Sequence, residues 1–223
     1  MNLPQLYVLG DSISIQYGPY LEKFVRGYFR YDRKGGETEA LQNLDVPVGA
    51  NCGDSSQMLE IVQKLLAEDS FQPQVILMNA GLHDIKRNVE TGAIQIPLAA
   101  YQANLRAAIR LCQSRGIAVV WARITPVSDA VHNYPGIGFF RYCADLFQYN
   151  AAADAVMEEC AVPAIDLEAF TVSLNEEDQA FCDHVHFIEA VREKQAIYIA
   201  GYLMSHLHFF DQYSSSNINS SYG

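Results

Sequence analysis

The feature that most limits what this chain can become is a rhythm of short apolar runs, each closed by a turn residue and followed by a segment with helical spacing. Val75-Ile76-Leu77-Met78 is the cleanest run, with Pro73 before it and Asn79-Ala80-Gly81 after it. That is how a strand buried on both faces reads. Leu6-Tyr7-Val8-Leu9 opens the chain in the same way and stops on Gly10. Residues 46–48, 117–121 and 162–167 read as the second, fourth and fifth strands, and residues 30–42, polar and containing Gly35-Gly36, as a connecting loop. Apolar residues at spacings of three and four predict helices over 16–29, 57–68, 101–115, 142–160 and 189–207. Strands alternating with helices at these distances imply an α/β fold, a three-layer α/β/α sandwich around a five-stranded parallel sheet.

All 223 residues fit one domain. It is expected to span 1–210, with a Ser- and Asn-rich tail over 211–223 that has little to bury and is expected to be disordered. The net charge of -11 and the scattered Lys and Arg exclude a nucleic-acid partner, and they weigh against strongly anionic substrates. No run reaches transmembrane length and no secretory leader is visible, so no membrane span and a cytoplasmic location are expected. Cys52, Cys112, Cys143, Cys160 and Cys182 form no Cys-x-x-Cys pair, and they read as reduced, mostly buried thiols without a metal. Oligomeric state has no signature in the sequence.

The chemistry-bearing residues collect where strands end. Gly10-Asp11-Ser12 lies between the first strand and the first helix, at the sheet edge where α/β proteins bind ligands and beside a helix N-terminus that favours negative charge. Read alone, Asp11 or Ser12 does no more than cap that helix. Gly81-Leu82-His83-Asp84 follows the third strand, and Asp183-His184-Val185-His186 precedes the last helix. An Asp three residues ahead of a His can hold the imidazole while its far nitrogen takes a proton from a serine. His184 is the alternative base, read as pointing away from Ser12. Asp11, Asn79 and His132 are candidate substrate contacts, although Asp11, Asn79 and Asp84 are also residue types that brace turns. Residues 128–140, with His132 and Tyr134, look like an insertion that walls the pocket.

Together these segments resemble the GDSL or SGNH hydrolases, whose fold is flavodoxin-like. Gly10-Asp11-Ser12 is similar to the first block of that family, Asn51-x-Gly53-x-Ser55 to the second and Asp183-x-x-His186 to the last. Ile124-Thr125-Pro126-Val127 and Gln148-Tyr149-Asn150-Ala151-Ala152 resemble stretches after the fourth strand. The resemblance implies a Ser12-His186-Asp183 triad and an oxyanion hole from the N–H groups of Ser12 and Gly53. The third block departs from the pattern: Gly81-Leu82-His83-Asp84 stands where Gly-x-Asn-Asp is expected. His83 takes the place of the asparagine donor, or else is a structural residue. The implied activity is hydrolysis of a small-molecule ester, a short acyl or acetyl group on a sugar or metabolite, without a cofactor. The competing reading is a binding protein of the same fold with a degenerate oxyanion hole. A phosphate-binding domain of flavodoxin type is disfavoured, because no Gly-rich loop with a neighbouring Lys or Arg is present.

Overall fold

The computed structural model describes residues 3–174, 177–207 and 210. The expected disordered tail over 211–223 lies outside them. Three strands form the centre of the sheet: β1 (Gln5–Leu9), β3 (Val75–Met78) and β5 (Ala118–Ala122). All of β3 and β5 is buried, which is why they read as continuous apolar runs. β2 (Arg30–Arg33) and β7 (Ala164–Ile165) are the edges, and the five strands run parallel in the order β2-β1-β3-β5-β7.

The second strand is not where the apolar pattern points. Val46-Pro47-Val48 folds as a turn, with Val48 N–H donating to Val46 O at 2.9 Å. The edge position falls to Arg30-Tyr31-Asp32-Arg33, inside the segment expected to be a loop. An edge strand pairs on one side only, so alternation of half-buried and exposed residues suffices, and its polarity concealed it.

Helices cover both faces. The chain leaves β1 through α1 (Ser12–Val25) to β2, then crosses back past β1 through α2 (Glu37–Ala40) and α3 (Ser55–Leu66) to reach β3. The direction along the sheet reverses there, and right-handed crossovers then put α1 and α3 on opposite faces. α4 (Leu98–Ser114) and α6 (Cys143–Glu159) continue in the second direction, α4 packing beside α3 and α6 beside α4. α7 (Leu167–Ser173) and α8 (Glu189–Ser205) return to the first face, where α8 lies along α1. The reversal makes the gap between the carboxyl ends of β1 and β3 the topological switch point, the crevice where open α/β sheets bind ligands.

The expected insertion forms α5 (Asp129–His132) and β6 (Phe139–Phe140). β6 pairs antiparallel with β4 (Arg87–Asn88), tying the loop after β3 to the loop after β5. Arg87 clamps this junction to α6 through two hydrogen bonds to Asp145, at 2.6 and 2.7 Å. Asn150 of α6 closes the end of β5, accepting from Ile124 N–H at 2.9 Å and donating to Ile124 O at 3.1 Å. All five cysteines are free. Among the described residues no helix is long and apolar enough to cross a membrane.

Candidate active site

Asp11 is the N-cap of α1, and its Oδ1 accepts from Ile13 N–H at 3.0 Å. Ser12 is therefore the first helical residue, and its own N–H is one of the donors that a helix leaves unpaired. The Ser12 hydroxyl meets His186 Nε2 at 2.8 Å. On the other side of the ring, His186 Nδ1 lies 2.7 Å from Asp183 Oδ2. Asp183 Oδ1 accepts from the N–H groups of Val185 and His186, at 2.9 and 2.8 Å. Burial raises the Asp183 carboxyl, but the His186 ring and these two N–H groups outweigh it and hold the group well below the usual carboxylate range. With Asp183 ionised, Nδ1 carries the ring proton and Nε2 is left to accept from the Ser12 hydroxyl.

Two further strand-end loops face the serine turn. Cys52 N–H donates to Gly10 O at 3.1 Å, drawing the loop before α3 against the end of β1. Gly53 has φ +69°, and a Cβ there would fall 1.9 Å from Gln57 Oε1, so the position requires glycine. Gly53 N–H donates to Asn51 Oδ1 at 3.0 Å, so this candidate oxyanion donor is already engaged. Gly81, at φ +147°, brings the loop after β3 so close to Ile124 that an added Cβ would sit 2.2 Å from its Cδ1. That turn delivers His83, which is buried and has no hydrogen-bond partner for its ring among the described residues. Burial first, and then the charges of Lys86 and Arg141, push the His83 pKa well below its ordinary value. The ring is neutral at pH 7, with one N–H to give.

The ordered match of these loops extends over most of the chain. A profile of the GDSL-like lipase/acylhydrolase family matches residues 8–192. The chain belongs to that family. It is a carboxylic ester hydrolase. Solved structures agree on the fold. The lipase/acylhydrolase from Enterococcus faecalis superposes with a TM-score of 0.68 at 14% identity, covering 92% of this chain and 97% of that one. An acetyl xylan esterase, AlAXEase, gives 0.63 at 14% identity over 90% and 98% of the two chains. TesA gives 0.62 at 17% identity over 90% and 98%. No curated protein matches the sequence at a significant level.

The three candidate substrate contacts of this GDSL-like hydrolase each have partners within the protein. Asp11 is fully buried as the helix cap, and burial raises its pKa. The Asn79 amide donates to Ala122 O at 2.9 Å and ties the ends of β3 and β5 together. His132 is fully buried, and its Nδ1 meets His184 Nδ1 at 2.9 Å. These bonds brace the turns around the site, while Asp11 Oδ2 and His132 Nε2 are left without a hydrogen-bond partner. His184 does not compete for Asp183. Its Nε2 lies 2.8 Å from Asp45 Oδ2, and its ring centroid is 6.1 Å from that of His186. Asp84, buried and pushed up to about 7 mainly by that burial, accepts from Ser55 N–H at the start of α3.

Sequence reasoning missed Asp45, Lys86 and Arg141. Arg141 follows β6 directly and Lys86 precedes β4, so the small β4–β6 ribbon carries both to the sheet edge. Arg141 Nε donates to Leu82 O at 2.6 Å, next to His83. The signal available was an arginine just after the paired Phe139-Phe140, and it carries weight only once the ribbon is known.

Proposed function

We propose that the chain is a serine esterase in which Ser12 forms an acyl-enzyme. The observation that carries this reading is the continuous hydrogen-bonded series Ser12 Oγ, His186, Asp183, with both contacts to the imidazole at 2.7–2.8 Å. His186 Nε2 takes the hydroxyl proton as Ser12 Oγ attacks the ester carbonyl. Asp183 stabilises the resulting imidazolium, which then protonates the leaving alcohol. Water enters as the second nucleophile with His186 again as base, the acid departs, and Ser12 regains its proton. Neither step calls for a metal or an organic cofactor.

The tetrahedral oxyanion is stabilised by Ser12 N–H, by the neutral His83 ring and by Gly53 N–H, which shares its proton between the oxyanion and Asn51 Oδ1. His83 thus replaces the amide expected in the third block. His83→Ala is expected to lower kcat by roughly 100- to 1,000-fold with KM little changed, whereas His83→Asn retains most of the rate. Steady-state kinetics with a soluble ester checks this, and an unchanged kcat in the alanine variant removes the ring from the oxyanion hole.

The substrate we infer is a small-molecule ester with a short acyl group, such as an acetylated sugar or metabolite. Support comes from the closeness of the site: Ser12 is 4% and His186 1% exposed. A mixed polar and apolar cavity of about 310 Å³ runs past Val127, Asp178, Phe181 and Phe187, but Ser12, Asp183 and His186 do not line it. Across p-nitrophenyl esters, kcat/KM is expected to peak between acetyl and butyryl and to fall about tenfold or more by octanoyl, since Ser12 and His186 are closely enclosed. A maximum at octanoyl or beyond would contradict the short-acyl reading.

A further inference from the structure

Beside the triad lie two buried cations without counter-ions. Lys86 and Arg141 are 9% and 2% exposed, and they are the only buried Lys and Arg among the described residues. Neither forms an ion pair there. Arg141 uses Nε on Leu82 O and leaves both Nη atoms without a hydrogen-bond partner, Nη1 fully buried. Lys86 Nζ donates only to the backbone oxygen of Asp45, at 3.0 Å. The two charges share one aromatic floor, lying 4.2 Å (Lys86) and 4.8 Å (Arg141) from the Phe139 ring centroid. Burial lowers both pKa values, Lys86 to about 8 and Arg141 to about 10, which leaves both protonated at pH 7.

Buried guanidinium and ammonium groups are costly unless something negative completes them. The nearby carboxylates are otherwise engaged: Asp183 with His186, Asp45 with His184, and Asp11 with the first turn of α1. Their fields reach Arg141, but none of them touches it. His132 adds no positive charge, because burial pushes its pKa down to about 4. What is on offer is a planar guanidinium edge and a lysine amine beside the loop that holds His83, a pairing that suits a substrate oxyanion group.

We propose that Lys86 and Arg141 form a receptor for a carboxylate or phosphate carried by the ester, so that the enzyme prefers anionic substrates. This rests on the serine-esterase reading and specifies its substrate class. The net charge of -11 does not oppose it. Net charge governs long-range encounter, which salt screens beyond about a Debye length, whereas recognition at contact depends on the local pair.

Hydrolysis of monomethyl succinate, with a carboxylate in the acyl half, and of an O-acetylated glycerol phosphate, with a phosphate in the alcohol half, is compared with that of neutral dimethyl succinate. One anionic ester is expected to exceed the neutral ester in kcat/KM by about tenfold or more, the size of a charge-assisted contact. Arg141→Met and Lys86→Met each shrink that ratio, mostly through KM; Lys86→Met serves if the arginine variant does not fold. Independently of turnover, succinate or inorganic phosphate raises the Tm of the native protein and raises that of Lys86→Met much less. The proposal is overturned if neutral and anionic esters are hydrolysed equally well. It is also overturned if both variants lose the two substrate classes in step, since the cations would then act on the oxyanion. Anion binding in a protein that hydrolyses no ester supports the receptor and sinks the esterase chemistry, so the two failures are distinguishable.

Discussion

Replacing Ser12 with alanine is expected to lower kcat for ester hydrolysis by about 10⁴-fold or more, because the attacking oxygen is gone and the remaining groups only bind and polarise. The fold should not notice. α1 is capped by Asp11 through Ile13 N–H, and Ser14 Oγ donates to Asp11 O at 2.7 Å, so the first turn keeps its bonds without the Ser12 hydroxyl. Thermal unfolding of the variant therefore overlays the native curve while activity disappears. That combination separates a lost nucleophile from a collapsed turn. Activity within tenfold of the native enzyme would remove Ser12 from the mechanism.

Asp183→Asn is the second large effect. The change is nearly isosteric, and Oδ1 continues to accept from Val185 and His186 N–H. At the other position an amide NH₂ replaces the carboxylate oxygen that faces His186 Nδ1 at 2.7 Å. A donor there forces the proton from Nδ1 to Nε2, so the ring no longer accepts from Ser12, and the imidazolium formed during attack loses its counter-charge. The expected fall in kcat is about 10⁴-fold with KM close to native. The same substitution changes acid stability in a defined direction. A carboxyl held below its unfolded pKa contributes stability that is present above the ordinary carboxylate range and is lost as pH falls through that range toward the folded value. Urea midpoints should therefore drop between pH 5 and pH 3 more steeply in the native protein than in Asp183→Asn. Equal slopes would mean that Asp183 is not ionised in the fold.

The sheet was legible where burial is two-sided and obscure where it is not. β3 and β5 could be read because nothing polar survives between two helix layers, and β1 because Gly10 ends it. β2 could not, since Arg30 to Arg33 need only pair with β1 along one edge, and the apolar Val46 and Val48 beside Pro47 made a more attractive candidate. The site follows the same division. Ser12 and the Asp183–His186 turn sit in short segments that stand out by their place beside strands and helices, whereas Gly53 and His83 stood out only through the resemblance of their segments to the GDSL hydrolases. The engagement of Gly53 N–H by Asn51 and the capture of His132 by His184 depend on side-chain directions that spacing does not encode. Lys86 and Arg141 are 55 residues apart, and only the pairing of β4 with β6 brings them over one phenylalanine ring.

If His186 makes Ser12 a reactive nucleophile, a fluorophosphonate should modify it. Phosphonylation needs an activated hydroxyl whose attack displaces fluoride, and it makes no demand on substrate identity. Intact-mass and peptide analysis of the treated protein is expected to find one adduct, on Ser12, absent from Ser12→Ala and strongly slowed in His186→Ala. A protein that stays unmodified, or that is modified elsewhere with Ser12 untouched, would contradict the assignment of the site.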